Sequence, residues 1–126
     1  RFGCDTTAQI AHCERAMRLI NRAGFRGEYF LYTMIGGKND FSECYNRIHY
    51  WWERLQDFRK NKKGRAVYAY AQPYRDPIHP GNAIPQWQAD MARWCNKRMI
   101  FCTTDFKDFS PRKNFTCAEY FKEMKL

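Results

Sequence analysis

The sequence predicts an α/β fold ordered β-α-β-α-β with parallel strands, and three observations predict it. Strand-like apolar runs occupy Arg1 to Asp5, Tyr29 to Gly36 and Ala66 to Tyr74, each stopping at a polar or glycine-bearing turn. The first two lead into stretches with helical amphipathic spacing. The runs are continuously apolar or aromatic, as in parallel strands buried on both faces. Such sheets bind ligands at the carboxyl ends of their strands, which places any chemistry at Cys4-Asp5-Thr6, Gly36-Gly37-Lys38-Asn39 and Gln72-Pro73-Tyr74.

Each element has a local reason. Thr6 or Thr7 is expected to cap a first helix with the apolar stripe Ile10, Cys13, Met17 and Ile20, and Gly24 ends it near the C′ position. The second strand, Tyr29 to Ile35, runs into Gly36-Gly37. Asp40 with Glu43 forms a capping box for a second helix that closes near Lys63-Gly64. Phe41, Tyr45, Ile48, Trp52 and Leu55, at steps of three and four, mark its buried face, and a neighbouring element covers Trp51. The third strand, Ala66 to Ala71, follows immediately, and two right-handed crossovers put all three strand tips on one rim.

Beyond Gln72, Pro73, Pro77, Pro80, Gly81 and Pro85 break regular structure across a loop of about a dozen residues, a natural lid for that rim. Pro85 suits the first turn of a further helix carrying Trp87, Met91, Trp94 and Cys95. A short extended run, Met99 to Cys102, a turn from Asp105 to Pro111 and a last helix capped by Thr116 with Glu119 complete the pattern.

The 126 residues suit one domain and a modest core, but amount to only half of the ~250 residues of a full (β/α)8 barrel. The chain therefore reads as part of something larger, with an open edge beside its first strand. A homodimer through that edge is the expectation. With 22 Lys+Arg against 13 Asp+Glu, the formal charge of +9 fits nucleic acid, an acidic partner or merely a soluble surface. Arg15, Arg18, Arg22 and Arg26 mark the outer face of the first helix, and Arg59, Lys60, Lys62 and Lys63 close the second, where the helix dipole favours cations. The solvated-surface reading is favoured, and nucleic acid is the secondary partner. No stretch of ~20 apolar residues could span a bilayer.

Six cysteines, at positions 4, 13, 44, 95, 102 and 117, include no C-x-x-C pair. With no leader before Arg1, free and mostly buried thiols in a reducing cytoplasm are expected rather than a disulfide framework. His12 and His49 fall in helices and His79 in the Pro-rich loop, without partners at ligand spacing, so no metal site is expected. Asn114-Phe115-Thr116 matches the glycosylation triplet, which matters only in a secretory compartment.

The series RFGCD, INRAGFRG, FLYTMIGGKNDFSE, AVYAYAQPYRDP and QADMARWCNKRMIFCTTDFKDF resembles the C-terminal half of a radical S-adenosylmethionine domain, over residues 1 to 109. Residues 110 to 126 form a tail with a short helix. The likeness is to uncharacterised bacterial members with a Pro-Tyr-Arg-Asp loop and a Phe-rich tail. It implies half of a partial TIM-like (β/α)6 barrel, in which the three strands are the fourth, fifth and sixth, followed by extra C-terminal helices.

By that resemblance Asp5 and Thr6 would lie near the ribose and methionine of S-adenosylmethionine, while Ile35, Gly36 and Gly37 would pack close to the adenine. Gln72, Pro73 and Tyr74 would present backbone groups to the adenine, and Tyr74 and Arg75 are candidate substrate contacts. The acidic residue usual after the glycines is not cleanly matched by Asn39 or Asp40. A structural role competes at two places: Asp5 as a helix cap, and the glycines as a tight turn.

The family also holds a 4Fe-4S cluster on a C-x3-C-x2-C loop. Here the cysteine separations are 9, 31, 51, 7 and 15 positions, so the cluster is expected only in a full-length form with the missing N-terminal half. The chain is either a fragment of a radical enzyme, not competent alone, or a cluster-less relative serving as a basic binding module for nucleic acid or an acidic partner.

Overall fold

The computed structural model describes residues 1–125. Three parallel strands, β1 (Phe2–Gly3), β2 (Tyr29–Ile35) and β3 (Val67–Pro73), form one open sheet in the order β1-β2-β3. Helices α1 (Gln9–Arg22) and α2 (Phe41–Asn61) connect them. After β3 come α3 (Gln86–Asn96), α4 (Arg98–Thr103), a 3-10 turn (Phe106–Asp108) and α5 (Ala118–Glu123). The α/β class, the parallel strands and the extra C-terminal helices agree with the sequence pattern, and the open sheet is compatible with a half-barrel.

Register decides which side chains meet. β2 pairs with β3 from Tyr29↔Val67 to Ile35↔Pro73, so Tyr29, Leu31, Thr33 and Ile35 share a face with Val67, Ala69 and Ala71, and all are buried. Phe30, Tyr32, Met34 and Tyr70 point the other way and are exposed. The expectation of burial on both faces is therefore not met: among the described residues the helices cover one face only.

Two clusters fill that covered side. Cys4, Cys13, Met17, Leu31, Trp51 and Val67 pack where α1 and α2 meet the sheet. A larger one joins Ile35, Phe41, Ile48 and Leu55 to Met91, Trp94, Phe101, Phe106 and Tyr120. At ~1.5–3 kcal/mol for each fully buried large side chain, this second cluster is the main support of the C-terminal helices.

Several termini differ from expectation. α1 begins after Ala8 without a side-chain cap, because the Thr7 N–H and hydroxyl both donate to Glu43 Oε1, at 2.9 and 2.8 Å. Its C-terminus follows the pattern: the Gly24 N–H reaches Asn21 O and the Phe25 N–H reaches Ile20 O, with Gly24 at φ +107. Only half of the α2 capping box forms. Asp40 Oδ1 accepts the Glu43 N–H, but the Glu43 carboxylate turns to Arg47 and Thr7.

Met99 to Cys102 is helical, inside α4, not extended. The Phe101 N–H bonds Lys97 O and Phe101 packs on Trp94, and a four-residue apolar run cannot distinguish helix from strand by periodicity alone. α5 starts after Cys117, with Thr116 contributing its carbonyl to the Glu119 N–H rather than a side-chain cap, and the Glu119 carboxylate pairs with Lys122. Pro85 sits one residue ahead of α3 and caps it with its carbonyl.

The outer edge of β3 is covered. The Ala71 N–H donates to Asn96 Oδ1 at 2.7 Å, and Asn96 Nδ2 donates to the Ala71 carbonyl at 2.9 Å, so one side-chain amide stands where a fourth strand would pair. The Cys95 thiol donates to the Ala69 carbonyl at 3.2 Å. Pro73, the next outward-facing position, has no N–H to offer. These groups blunt the edge, whereas on the β1 side the Gly3 carbonyl meets only the Cys13 thiol, at 3.5 Å.

Candidate functional site

The carboxyl ends of all three strands open onto one rim, and two adjoining clefts lie along it. The first, about 470 Å³, is lined by Asp5, Thr6, Gly36, Gly37, Lys38 and Tyr74 among others. The second, about 550 Å³, continues over the bare sheet face past Tyr32, Tyr70, Gln72, Pro73, Tyr74 and Arg75. Asp5, Met34 and Tyr74 belong to both.

Most residues singled out from sequence therefore meet here. Ile35 does not: it is fully buried on the helix side, and its carbonyl accepts the Tyr74 N–H at 2.8 Å. It anchors the β3 tip from behind rather than walling the cleft.

The backbone of this rim is held from below by Arg47, a residue that the motif reading passes over. Its side chain is fully buried, and its guanidinium donates to Thr33 Oγ1, to the carbonyls of Asp5 and Met34, and to the Glu43 carboxylate. One side chain of α2 thus ties the tips of β1 and β2 together. Its signal was present in the sequence: position 47 lies three residues from Cys44 and four from Trp51, inside the apolar face of the helix.

Asp5 completes the tie from above. Its Oδ1 accepts the Met34 N–H at 2.7 Å, its N–H donates to Gln9 Oε1, and its carbonyl also accepts from Asn39 Nδ2. It caps no helix. Its second carboxylate oxygen faces the clefts without a partner among the described residues.

Both glycines of the β2 tip are required by geometry. Gly36 has φ +88, and a Cβ there would lie 2.4 Å from Gln88 Nε2. Gly37 has φ +64, and its Cβ position is 3.2 Å from Cγ of the Tyr74 ring. An aromatic face thus lies directly against bare backbone, leaving peptide edges accessible beside it.

The thiols are built differently. All six are free and five are buried. Burial pushes Cys4 and Cys44 up from the ordinary thiol range, against weaker opposing hydrogen bonds, and Cys13 up to about 12. Such groups stay protonated near neutrality and are poor metal ligands as they stand. Among the described residues no three His, Cys, Asp or Glu side chains are grouped to hold a metal ion.

His49 and His79 do have carboxylate neighbours, Glu53 and Asp105 for the first and Asp76 for the second. Asp105 is 56 positions from His49, a separation that local spacing rules cannot anticipate.

Arg75 lines the larger cleft and has no anionic partner among the described residues. The arrangement can therefore cradle a ligand with a flat apolar part against Tyr74 and Met34, a hydroxyl or ammonium at Asp5 and an anionic group at Arg75. Among the described residues no helix is long and apolar enough to cross a membrane. The chain matches no protein-family model, no curated protein and no solved structure.

Proposed function

We propose that the rim binds S-adenosylmethionine, as the C-terminal half of a radical-S-adenosylmethionine-type barrel domain. One observation carries the reading: Asp5, the Gly36-Gly37 turn and Tyr74 converge from three strand tips on one cleft. Tyr74 and the Gly36-Gly37 backbone packed against it would border the adenine, Asp5 and Thr6 would take the ribose or the amino group, and Gln72 and Pro73 would offer main-chain groups. Tyr74 and Arg75 would face the substrate.

The donor set suits a nucleoside and not an iron–sulfur cluster, because the protonated, dispersed thiols form no ligand triad among the described residues. The cofactor's chemistry is one-electron cleavage of its sulfonium. The part of this chain is to bind, orient and exclude water, and the proposal assigns the cluster to a partner half that would extend the sheet at β1.

Equilibrium dialysis with radiolabelled S-adenosylmethionine tests the reading. Weak, saturable binding is expected, lost in Gly37→Val and reduced about tenfold in Tyr74→Ala, a residue two-fifths exposed, with the circular dichroism spectrum of each variant unchanged. Saturation that is indifferent to both variants, or no saturation at millimolar ligand, rejects it.

A second proposal concerns the isolated chain, which would pair with its own copy through β1, whose outer edge carries only the weak Cys13 thiol contact to the Gly3 carbonyl at 3.5 Å. Sedimentation velocity over a wide concentration range should show a monomer–dimer equilibrium. A single concentration-independent monomer boundary rejects the pairing.

A further inference from the structure

The bare face of the sheet has a composition that the cofactor reading does not use. Register aligns Phe30 with Tyr68 and Tyr32 with Tyr70, giving two rows of aromatic pairs with ring centres 5.9 and 5.8 Å apart. Successive rows are two residues apart along the strands, or ~6.6 Å at the usual rise. Tyr74 adds a ring at the β3 tip. Phe30, Tyr32, Tyr70 and Tyr74 are each two-fifths exposed or more, a large contiguous apolar area for a protein surface.

Cations border these rings. The Arg1 guanidinium lies 5.9 Å from the Tyr32 ring centre, and Arg98 lies 4.1 Å over Tyr68. Arg75 stands beside Tyr70 and Tyr74 without an anionic partner among the described residues. The nearby acids are Glu28, whose pairing with Arg98 a phosphate would displace, and Asp5, which keeps its charge at the β1 tip with Oδ1 on the Met34 N–H. The surface is aromatic in the middle and cationic at both ends, on a molecule of net charge +9.

We infer that this face binds single-stranded nucleic acid, with unstacked bases lying on Phe30, Tyr32, Tyr70 and Tyr74 and phosphates meeting Arg1, Arg75 and Arg98. Charge complementarity selects the occupant. A hydrophobic protein surface would need no ring of arginines, a small anion would need no row of rings, and a polyanion with flat apolar faces uses both. A duplex keeps its bases stacked inside and cannot offer them to a sheet. The aromatic face shares Tyr74 and Arg75 with the proposed cofactor site, and Tyr32 and Tyr70, which the cofactor reading does not use, keep the two distinguishable.

The test is fluorescence anisotropy of the full chain with a labelled pyrimidine-rich single strand, titrated at several salt concentrations. The affinity should fall linearly on logarithmic axes with a slope of roughly −2, from about −0.7 for each of three phosphate contacts. Tyr32→Ala and Tyr70→Ala, both at exposed positions, should each weaken binding roughly 5- to 150-fold with an unchanged circular dichroism spectrum. Arg15→Gln, on the outer face of α1, should leave it unaltered. A duplex of the same sequence should bind more weakly. Absence of binding at low salt overturns the inference. So does binding that is indifferent to Tyr32 and Tyr70 or equal for duplex and single strand, since either result reports only a basic surface.

Discussion

Arg47→Leu should cost about 3–5 kcal/mol of folding stability, because it leaves the partners of a buried charge unmatched while keeping most of the volume. The guanidinium is fully buried and serves four sets of acceptors: Thr33, Glu43 and the carbonyls of Asp5 and Met34. The carbonyls would lose their charged donor, and Glu43 would keep only the Thr7 contacts. Thermal unfolding should shift down by roughly 10–20 °C for a chain of this size. The rim should suffer beyond this loss, since Arg47 joins the β1 and β2 tips. Amide exchange at Asp5 and Met34 should accelerate relative to the β2–β3 ladder. Equal loss of protection throughout would mean that Arg47 supports the core in general and not the rim.

Asp90→Ala is expected to destabilise the C-terminal helices, by less than the loss of Arg47. Asp90 is fully buried and accepts from Gln86 Nε2, from the Arg112 guanidinium and from the Tyr120 hydroxyl. It joins α3 to the loop before α5 and to α5 itself. Removing the carboxylate leaves the buried Tyr120 hydroxyl without its acceptor, at about 1–3 kcal/mol, while the Arg112 side chain, 42 % exposed, turns to solvent.

The same group sets a pH dependence. Burial alone would raise the Asp90 carboxyl, but hydrogen bonds from Arg112, Tyr120 and Gln86 outweigh it and hold the carboxyl below the usual carboxylate range. A depressed folded-state value contributes stability that is present above the unfolded value of about 3.9 and lost as pH falls through the folded one. Urea midpoints measured from neutral to strongly acid pH should show this loss in the native chain. Asp90→Asn should lack that part of the acid limb. An identical pH profile for Asp90→Asn would show that other carboxylates dominate it.

The strand order, the helix faces and the strand-tip rim were legible because they follow from local signals. Periodicity marked Phe41, Ile48 and Leu55, and the glycines marked turns that φ values of +88 and +64 require. What stayed hidden depended on distant partners. Thr7 was read as a cap because nothing nearby reveals that Glu43 would claim its hydroxyl. The short run Met99 to Cys102 has no period long enough to separate helix from strand, and Phe101 settles into a pocket beside Trp94 that only the tertiary fold creates. The resemblance groups Ile35 with the glycines, although alternation along β2 turns its side chain to the buried face. Arg47 and Asp90 were hidden for one reason: an ionised residue on a buried face is recognised by partners far along the chain, Thr33 and Asp5 for the first and Arg112 for the second.

The Asn96 amide on Ala71 also limits the stoichiometry of any self-association. A sheet with two exposed edges can add copies at both, and head-to-tail addition then continues into a filament without a natural end. A sheet exposed on one side only is used up by its first encounter, so association by strand pairing stops at two. Asn96, with Cys95 and Pro73, thereby acts as a chain terminator. Its replacement by a residue without an amide would free the Ala71 groups for pairing, while Cys95 and Pro73 would still blunt the positions on either side.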